Sequence, residues 1–149
     1  MTAVEPVYEG PWKDEIKMHG EGSLTWASGT KYVGSFSEHQ LHGQGTMTYA
    51  SGSVYTGAWE NNMKQGEGKM TWANGNQYTG AWSLNKMKGA GVLVYANGDR
   101  FEGMFEGDMR HGKGTMLFKN GDKLEGDFVQ GKVQGEGKFI WTDGSVYSG

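Results

Sequence analysis

The chain of 149 residues contains no cysteine, only two prolines and no run of about 18 apolar residues, the length that a membrane-spanning helix requires. The absence of cysteine fits a reducing compartment and equally fits any cysteine-free module. The missing apolar run argues against a transmembrane helix. The net charge is −3, so the basic surplus that marks nucleic-acid-binding proteins is also absent.

A secretory signal and a glycosylation site are missing as well. Residues 1–7 form a short leader that lacks the basic and apolar regions of a secretory signal peptide. The sequence contains no Asn-x-Ser/Thr acceptor for glycosylation. Together these absences favour a cytoplasmic location.

Glycine and aromatic residues are abundant instead. The chain has 27 glycines, a content that usually warns of low complexity, but 13% of its residues are aromatic, which argues against disorder. High contents of both indicate thin, tightly turned β-structure in which aromatic rings cover backbone that lacks side chains.

Both residue types recur with a fixed period. The repeats are 8–31, 32–54, 55–77, 78–100, 101–123 and 124–146, and a seventh begins at 147–149. A period of 23 residues indicates a repeat array, so residues 8–149 are predicted to form one. The first repeat has one extra residue within 13–19, which we expect to enlarge a turn without shifting the strand register.

Each repeat contains two short segments with the alternation of β-strands. In the first segment a ring, a glycine and a second ring occupy alternate positions, as in Tyr55, Gly57 and Trp59. The second segment, such as 66–72, reads Gly-x-Gly-x-apolar-x-aromatic. Since side chains two residues apart share a face, each strand is predicted to have one face of rings and glycines.

Two kinds of connection join these segments. Asn-Gly, Asp-Gly or Ser-Gly pairs between repeats, such as Asn74-Gly75, predict tight hairpin turns with positive φ at both residues. Within a repeat, the longer polar segment 60–65 predicts a looser loop. Consecutive antiparallel hairpins then make an all-β, elongated, single-layer ribbon with two strands per repeat, roughly 55–60 Å long at about 4.8 Å per strand.

A ribbon of one layer has no second sheet to cover its apolar face. We therefore expect it to curl, with the rings over the glycines of neighbouring strands, as when aromatic side chains cover strand glycines. This predicts a concave, ring-lined trough and a polar convex face.

The pattern Tyr-x-Gly-x-Trp, followed by Gly-x-Gly and a further Gly within 23 residues, resembles the MORN repeat (membrane occupation and recognition nexus). All four glycine columns are intact in six repeats, and the departures are Phe101 and Leu124 in place of Tyr, and Phe36, Phe105 and Phe128 in place of Trp. The resemblance implies roles in cytoskeletal, ciliary or membrane-associated assemblies, sometimes with myosins, and frequent dimerisation.

Residues with catalytic or metal-binding chemistry recur at the repeat spacing and do not cluster. His19, His42 and His111 share one column, but successive hairpins lie about 10 Å apart, too far for one metal ion. The segment 107–113 imitates a phosphate-binding loop, but it lacks the Ser or Thr that binds Mg²⁺ and the helix that should follow. Carboxylates also form columns and not one positioned pair. No catalytic site, cofactor or metal ion is predicted, and the chain is not expected to be an enzyme.

The first functional hypothesis is a non-catalytic scaffold or adaptor. Most rings must serve as the core of a single-layer sheet, and the remainder, exposed in the trough, would anchor a helix or extended segment of another protein. Trp59, Trp72, Trp82 and Tyr95, in the middle of the array, are the predicted anchors.

The alternative is a peripheral membrane module that binds anionic phospholipid headgroups through basic loops. Its candidate residues are Lys64, Lys86, Lys88, Arg110 and Lys113. Acidic residues interleave with these cations and no run of four basic residues exists, which weakens this alternative. A third possibility is that the repeats regulate a larger enzyme.

The end of the sequence leads to a separate expectation. Tyr147 starts a seventh repeat that stops after three residues. Because an unpaired strand edge invites further chain or a second copy, we expect either a longer array or end-to-end self-association, including a homodimer.

Overall fold

Fifteen β-strands and no helix make up the part of the chain that the computed structural model describes, residues 7–13 and 17–149. The strands are β1 (Val7–Glu9), β2 (Trp12–Lys13), β3 (Lys17–Met18), β4 (Gly20–Thr25), β5 (Lys31–Ser37), β6 (Gln40–Thr48), β7 (Val54–Glu60), β8 (Met63–Thr71), β9 (Gln77–Ser83), β10 (Lys86–Val94), β11 (Arg100–Glu106), β12 (Met109–Leu117), β13 (Lys123–Val129), β14 (Lys132–Ile140) and β15 (Val146–Ser148). Nothing among the described residues forms a helix that could cross a bilayer.

Thirteen strands form one open sheet in the order β1, β4, then β5 through β15, and every neighbouring pair is antiparallel. β2 and β3 form a separate two-stranded ribbon. The predicted all-β architecture of consecutive hairpins is therefore confirmed.

The first repeat keeps the strand register despite its extra residue. Tyr8 pairs with Leu24 across β1 and β4, as Tyr55 pairs with Met70 across β7 and β8. The segment expected to form an enlarged turn includes residues 14–16, which lie outside the described residues, as does most of the leader.

Tyrosine rings lie over paired glycines, as predicted. Gly57 and Gly68 face each other across β7 and β8, and a Cβ added at Gly68 would overlap the ring of Tyr55. The Tyr55 ring has no exposed surface, and its hydroxyl donates a hydrogen bond to Ala58 O at 2.9 Å. Glycine is thus required here because the ring occupies the space that a side chain would fill.

The buried rings, together with the partly buried Tyr8, form a continuous series of edge-to-face contacts along the sheet. Successive ring centroids lie between 4.9 and 5.5 Å apart, and the interplanar angles are between 80° and 90°. The members, in order of contact, are Tyr8, Phe36, Tyr32, Trp59, Tyr55, Trp82, Tyr78, Phe105, Phe101 and Phe128. Such contacts stabilise beyond the area that they bury, so the series replaces the second layer of an ordinary core.

The prediction for the turns between repeats is wrong in its backbone geometry. Of the pair Asn74-Gly75 only Gly75 has positive φ, at 98°. The N–H of Gly75 donates to Trp72 O at 2.9 Å, and Asn74 Oδ1 accepts from the N–H of Asn76 at 3.0 Å. In hairpin connections longer than two residues a turn is followed by one left-handed residue, here Gly75, whereas a two-residue type I′ loop needs positive φ at both positions.

The looser loop predicted for 60–65 is also wrong. β7 ends at Glu60 and β8 begins at Met63, so only Asn61 and Asn62 connect the strands, with φ of 51° and 68°. Positive φ at both positions defines the tight type I′ hairpin, and asparagine tolerates this conformation better than most residues.

Each of these tight turns is bonded to the preceding repeat. Asn85 Oδ1 accepts from the N–H of Lys64 at 2.8 Å, and the N–H of Asn85 donates to Lys64 O at 3.1 Å. Asn62 makes the same two bonds with Leu41, and Asp108 with Met87. These paired bonds hold successive hairpins in one relative orientation.

Leu84 leads to a prediction about stability. It occupies the first position of a tight turn with φ of 50°, where the equivalent residue in the preceding repeat is Asn61, and its side chain is 63% exposed. Because a branched hydrocarbon side chain is disfavoured in this conformation, we expect Leu84→Asn to raise the free energy of unfolding by about 1 kcal/mol. Urea denaturation measures the change, and an unchanged or lower midpoint would contradict the strain argument.

Candidate functional site: the ring face

One face of the main sheet, here called the ring face, carries three columns of rings. Two columns are the buried series described above. The third, here called the outer ring row, is only partly buried and packs against that core. Its partly buried members are Trp26, Tyr49, Trp72, Tyr95 and Phe118, and Trp141, which is 42% exposed, follows them in the last repeat. The outer ring row is therefore the aromatic surface that another molecule can reach.

The four predicted anchors fall into two pairs. Trp59 and Trp82 belong to the buried series, with 5% and 4% of their surface exposed. Their indole N–H groups donate to Gly45 O and Gly68 O, both at 3.2 Å. Trp72 and Tyr95 lie in the outer ring row. All three columns alternate in the same phase, so strand periodicity alone did not separate the buried rings from the accessible ones.

The five candidate cations for lipid contact do not form one surface. Lys64 and Arg110 share the ring face, whereas strand alternation places Lys86, Lys88 and Lys113 on the opposite face. Lys86 and Lys88 lie 4.0 and 3.7 Å from the carboxylates of Asp108 and Glu106. Lipid binding by these residues stays a prediction, with no common basic patch to support it.

Lys64 has an unusual environment for a lysine. Its ammonium Nζ lies 4.9 Å from the ring centroid of Trp82, 5.6 Å from that of Tyr55 and 5.7 Å from that of Tyr49. Burial lowers the pKa of Lys64, and the negative charge of Asp108 acts in the opposite direction. The lysine stem covers the rings, and the charge is stabilised by their faces.

Arg110 repeats this arrangement two repeats later. Its guanidinium carbon lies 5.6 Å from the ring centroid of Phe101 and 5.4 Å from that of Phe128. One nitrogen, Nη2, donates to Gly131 O at 2.6 Å. The arginine is thereby fixed on the ring face by a bond that uses one of its five N–H donors.

One histidine and two turn aspartates accept hydrogen bonds from backbone N–H groups. His39 Nδ1 accepts from the N–H of Met18 at 3.3 Å. Asp99 and Asp122, beside a hollow lined by Phe118, accept backbone N–H bonds from the following turns at 2.9 Å. In residues 7–13 and 17–149 no group of three or more His, Cys, Asp or Glu side chains is placed to hold a metal ion.

The seventh repeat begins with β15, which lies at the end of the described sheet and pairs with β14 on one side. Tyr147 lies opposite Phe139 across β15 and β14, and its ring is 63% exposed. Self-association through this strand stays a prediction.

The model of the MORN repeat matches six consecutive segments of the chain, residues 8–31, 32–54, 55–77, 78–100, 101–123 and 125–146. No curated protein sequence matches the chain at a significant level.

Three solved structures share the fold at low sequence identity. The TCP domain of Drosophila melanogaster SAS-4 (dCPAP), in complex with a proline-rich motif of Ana2 (dSTIL), is 15% identical with a TM-score of 0.57, over 87% of this chain and 71% of that one. The TCP10 domain of Danio rerio CPAP, in complex with a STIL peptide, is 12% identical with a TM-score of 0.62, over 97% and 64%. The CPAP G-box domain, described with a role in centriole elongation, is 12% identical with a TM-score of 0.57, over 93% and 71%. The likeness is one of fold, and this chain spans about two thirds of those chains.

Proposed function

Because the chain belongs to the MORN repeat family, with six repeats between residues 8 and 146, we propose that it is a non-catalytic scaffold that binds a segment of a partner protein on its ring face. The observation that carries this proposal is the outer ring row, which places one accessible ring in each repeat along a sheet that has no second layer among the described residues. Contiguous accessible rings favour protein association, and Trp and Tyr are frequent hot spots.

The buried series and the outer ring row have different tasks in this proposal. Edge-to-face contacts and hydrogen bonds hold Trp59 and Trp82 within the sheet. Trp72 and Tyr95 pack on that rigid base with part of their rings exposed. A partner can therefore contact Trp72 and Tyr95 without displacing the core, and a preorganised surface lowers the entropic cost of binding.

The fold relatives support the class of partner. Two of them are complexes with a peptide of another protein, Ana2 or STIL. A third is described with a role in centriole elongation. By analogy, the partner here is a helix or extended segment of another protein in a cytoskeletal assembly, and a cytoplasmic location follows. Only the family resemblance supports a myosin-related partner or a homodimer.

The proposal predicts that Trp72→Ala together with Tyr95→Ala removes partner binding. Loss of one aromatic anchor costs about 2 kcal/mol, a factor of about thirty in affinity. The measurement is affinity purification from the native cell with the wild-type and variant chains as baits, followed by quantitative mass spectrometry of the recovered proteins.

A matched control changes the opposite face. Thr56 and Thr79 are exposed there on the same central hairpins, so Thr56→Ala with Thr79→Ala should leave partner recovery unchanged. Circular dichroism establishes that both variants keep the sheet, and light scattering reports their oligomeric state. If the Trp72 and Tyr95 variant folds and recovers the same partners in the same amounts, the ring face is not the binding surface.

A further inference from the structure

A fourth column on the ring face, here called the capping column, covers the rings at the start of the second strand of each repeat. It consists of Met18, Leu41, Lys64, Met87, Arg110 and Val133. Met18, Leu41 and Met87 have between 5% and 7% of their surface exposed, so an apolar residue closes the core at this position. The third and fifth repeats place a cation there instead.

Neither cation is paired with a carboxylate in the described part of the chain. The ion pairs among the described residues are those of Lys86 with Asp108, Lys88 with Glu106 and Arg100 with Glu102, and they include neither Lys64 nor Arg110. Lys64 Nζ has ring faces as its neighbours, and the Asp108 carboxylate, whose charge acts on it, forms its ion pair with Lys86 instead. Arg110 has ring faces and one carbonyl oxygen. Within residues 7–13 and 17–149, two half-buried positive charges therefore lie among aromatic rings with hydrogen-bond donors left over.

We propose that Lys64 and Arg110 receive two carboxylates of an acidic partner segment that lies across the strands of the ring face, a proposal that rests on the proposed function. Folding has already removed much of the water around both cations, so an arriving carboxylate meets partly desolvated, positioned donors. Charge-assisted hydrogen bonds under such conditions are stronger than those between neutral groups. The outer ring row beside them supplies the apolar part of the contact.

The spacing of the two cations restricts the segment. Lys64 lies on β8 and Arg110 on β12, four strand spacings apart, which is about 19 Å at about 4.8 Å per spacing. An extended segment covers this distance in about six residues at about 3.3 Å each. A helix covers it in about thirteen residues at about 1.5 Å each. The partner should therefore carry Asp or Glu pairs at one of these separations, with apolar residues between them facing Met87.

An anionic membrane is the competing source of negative charge. Lys64 and Arg110 are recessed among rings, and the more exposed Lys86, Lys88 and Lys113 point from the opposite face. A flat layer of headgroups cannot engage both sets at once. The geometry thus favours a narrow peptide over a lipid surface.

The test replaces both cations by the residue that fills the same column in the first and fourth repeats. Lys64→Met with Arg110→Met should fold at least as stably as the wild type, because Met18 and Met87 close the core at equivalent positions. Wild type and variant are then used to select binders from a random-peptide display library, and the peptides are sequenced and synthesised.

We expect wild-type binders to be enriched in Asp or Glu pairs at the stated separations, and the variant to select without this enrichment. Changing either acidic residue of a selected peptide to Gln should weaken its affinity for the wild type about tenfold, and added salt should weaken it further. Lys88→Met, which removes an exposed, ion-paired cation from the opposite face, is the matched control and should change affinity less than twofold.

Other outcomes overturn the proposal in distinguishable ways. One outcome is that peptides selected by the wild-type protein lack acidic enrichment and do not bind the Trp72 and Tyr95 variant. This result overturns the role of Lys64 and Arg110 and leaves the proposed function standing. Peptides that bind equally well to both variants overturn both proposals. Selection of no peptide, with binding to phosphatidylserine vesicles that disappears in the Met variant, assigns the two cations to a membrane instead.

Discussion

Gly68→Ala should lower the free energy of unfolding by about 3 kcal/mol, the upper range for a group forced into a well-packed core. The added methyl would lie 2.5 Å from Cζ and 2.6 Å from Cε2 of Tyr55. That ring cannot move aside, because Trp59 and Trp82 contact it edge to face at 5.1 and 5.3 Å and its hydroxyl is bonded to Ala58 O. Equilibrium urea denaturation measures the loss.

Gly137→Ala is the matched control in the same column. Leu124 stands there in the place of the tyrosine, and the added methyl would meet Val133 Cγ1 at 3.3 Å and Leu124 Cδ1 at 3.9 Å. Val133 is 37% exposed and has room to shift. Since alanine also reduces the freedom of the unfolded chain, the change should stay within about 0.5 kcal/mol of the wild type.

A double variant separates crowding from other effects of the substitution. If the tyrosine ring is the obstacle, Tyr55→Leu should make Gly68→Ala less costly, because this pair reproduces Leu124 beside Gly137. We expect a coupling of about 1–2 kcal/mol between the two positions. Additive effects, or equal losses for Gly68→Ala and Gly137→Ala, would show that the ring does not exclude a side chain at this column.

Alkaline unfolding is the second large effect that we expect. Burial raises the pKa of Tyr78 to about 12, and the charge of Glu67 adds to this rise. Burial also raises the pKa of Tyr32 and that of Tyr55. A raised pKa of an acid means that the folded state holds its proton more tightly than the unfolded state, where the tyrosine pKa is 10.0. The contribution of the buried tyrosines to the free energy of unfolding is therefore fully present below pH 10 and is lost as the pH rises from 10 toward 12.

The size of this effect follows from linkage. One pKa unit corresponds to about 1.4 kcal/mol, so Tyr78 alone accounts for about 3 kcal/mol between pH 10 and 12. The tyrosinate absorbance of the buried rings should therefore appear together with the loss of the sheet, in one transition. An absorbance rise in a sheet that circular dichroism shows to be intact would contradict the burial argument.

Phenylalanine variants provide the control for the alkaline transition. Phe101 occupies the tyrosine position of its repeat with no exposed surface, so the ring site accepts Phe. Tyr78→Phe removes the bond from the Tyr78 hydroxyl to Ala81 O at 2.8 Å and should cost about 1 kcal/mol at neutral pH. Above pH 10 its stability should fall less steeply with pH than that of the wild type. An unchanged slope would assign the alkaline transition to other groups.

Much of the fold was readable from the sequence because its causes are local. The alternation of Tyr55, Gly57 and Trp59 assigns these residues to one face of a strand, whatever the rest of the chain does. The recurrence of that pattern every 23 residues then dictates consecutive hairpins, and rings beside glycines can pack only by covering them. The family, the all-β class and the ring-over-glycine packing follow from these features.

The turns were less predictable because their geometry depends on both flanking strands. Asn74-Gly75 has the composition of a two-residue hairpin loop but lies in a five-residue connection, while Asn61 and Asn62 form the two-residue loop. The inter-repeat bonds of Asn62 to Leu41 stabilise this choice, and they join residues 21 positions apart. No local composition specifies a contact of that kind.

By itself, then, the sequence determined the repeat, the sheet and the face on which the rings lie. Only the tertiary structure decided which rings stay accessible, because Trp59 and Trp72 fit the same alternation. Trp59 packs edge to face against Tyr32 and Tyr55, whereas Trp72 follows the end of β8 and keeps part of its ring exposed. The tertiary structure also decided the place of Lys64. The tight turn lets β8 begin at Met63, so a lysine expected in a loop enters the strand and lies over the rings of two repeats.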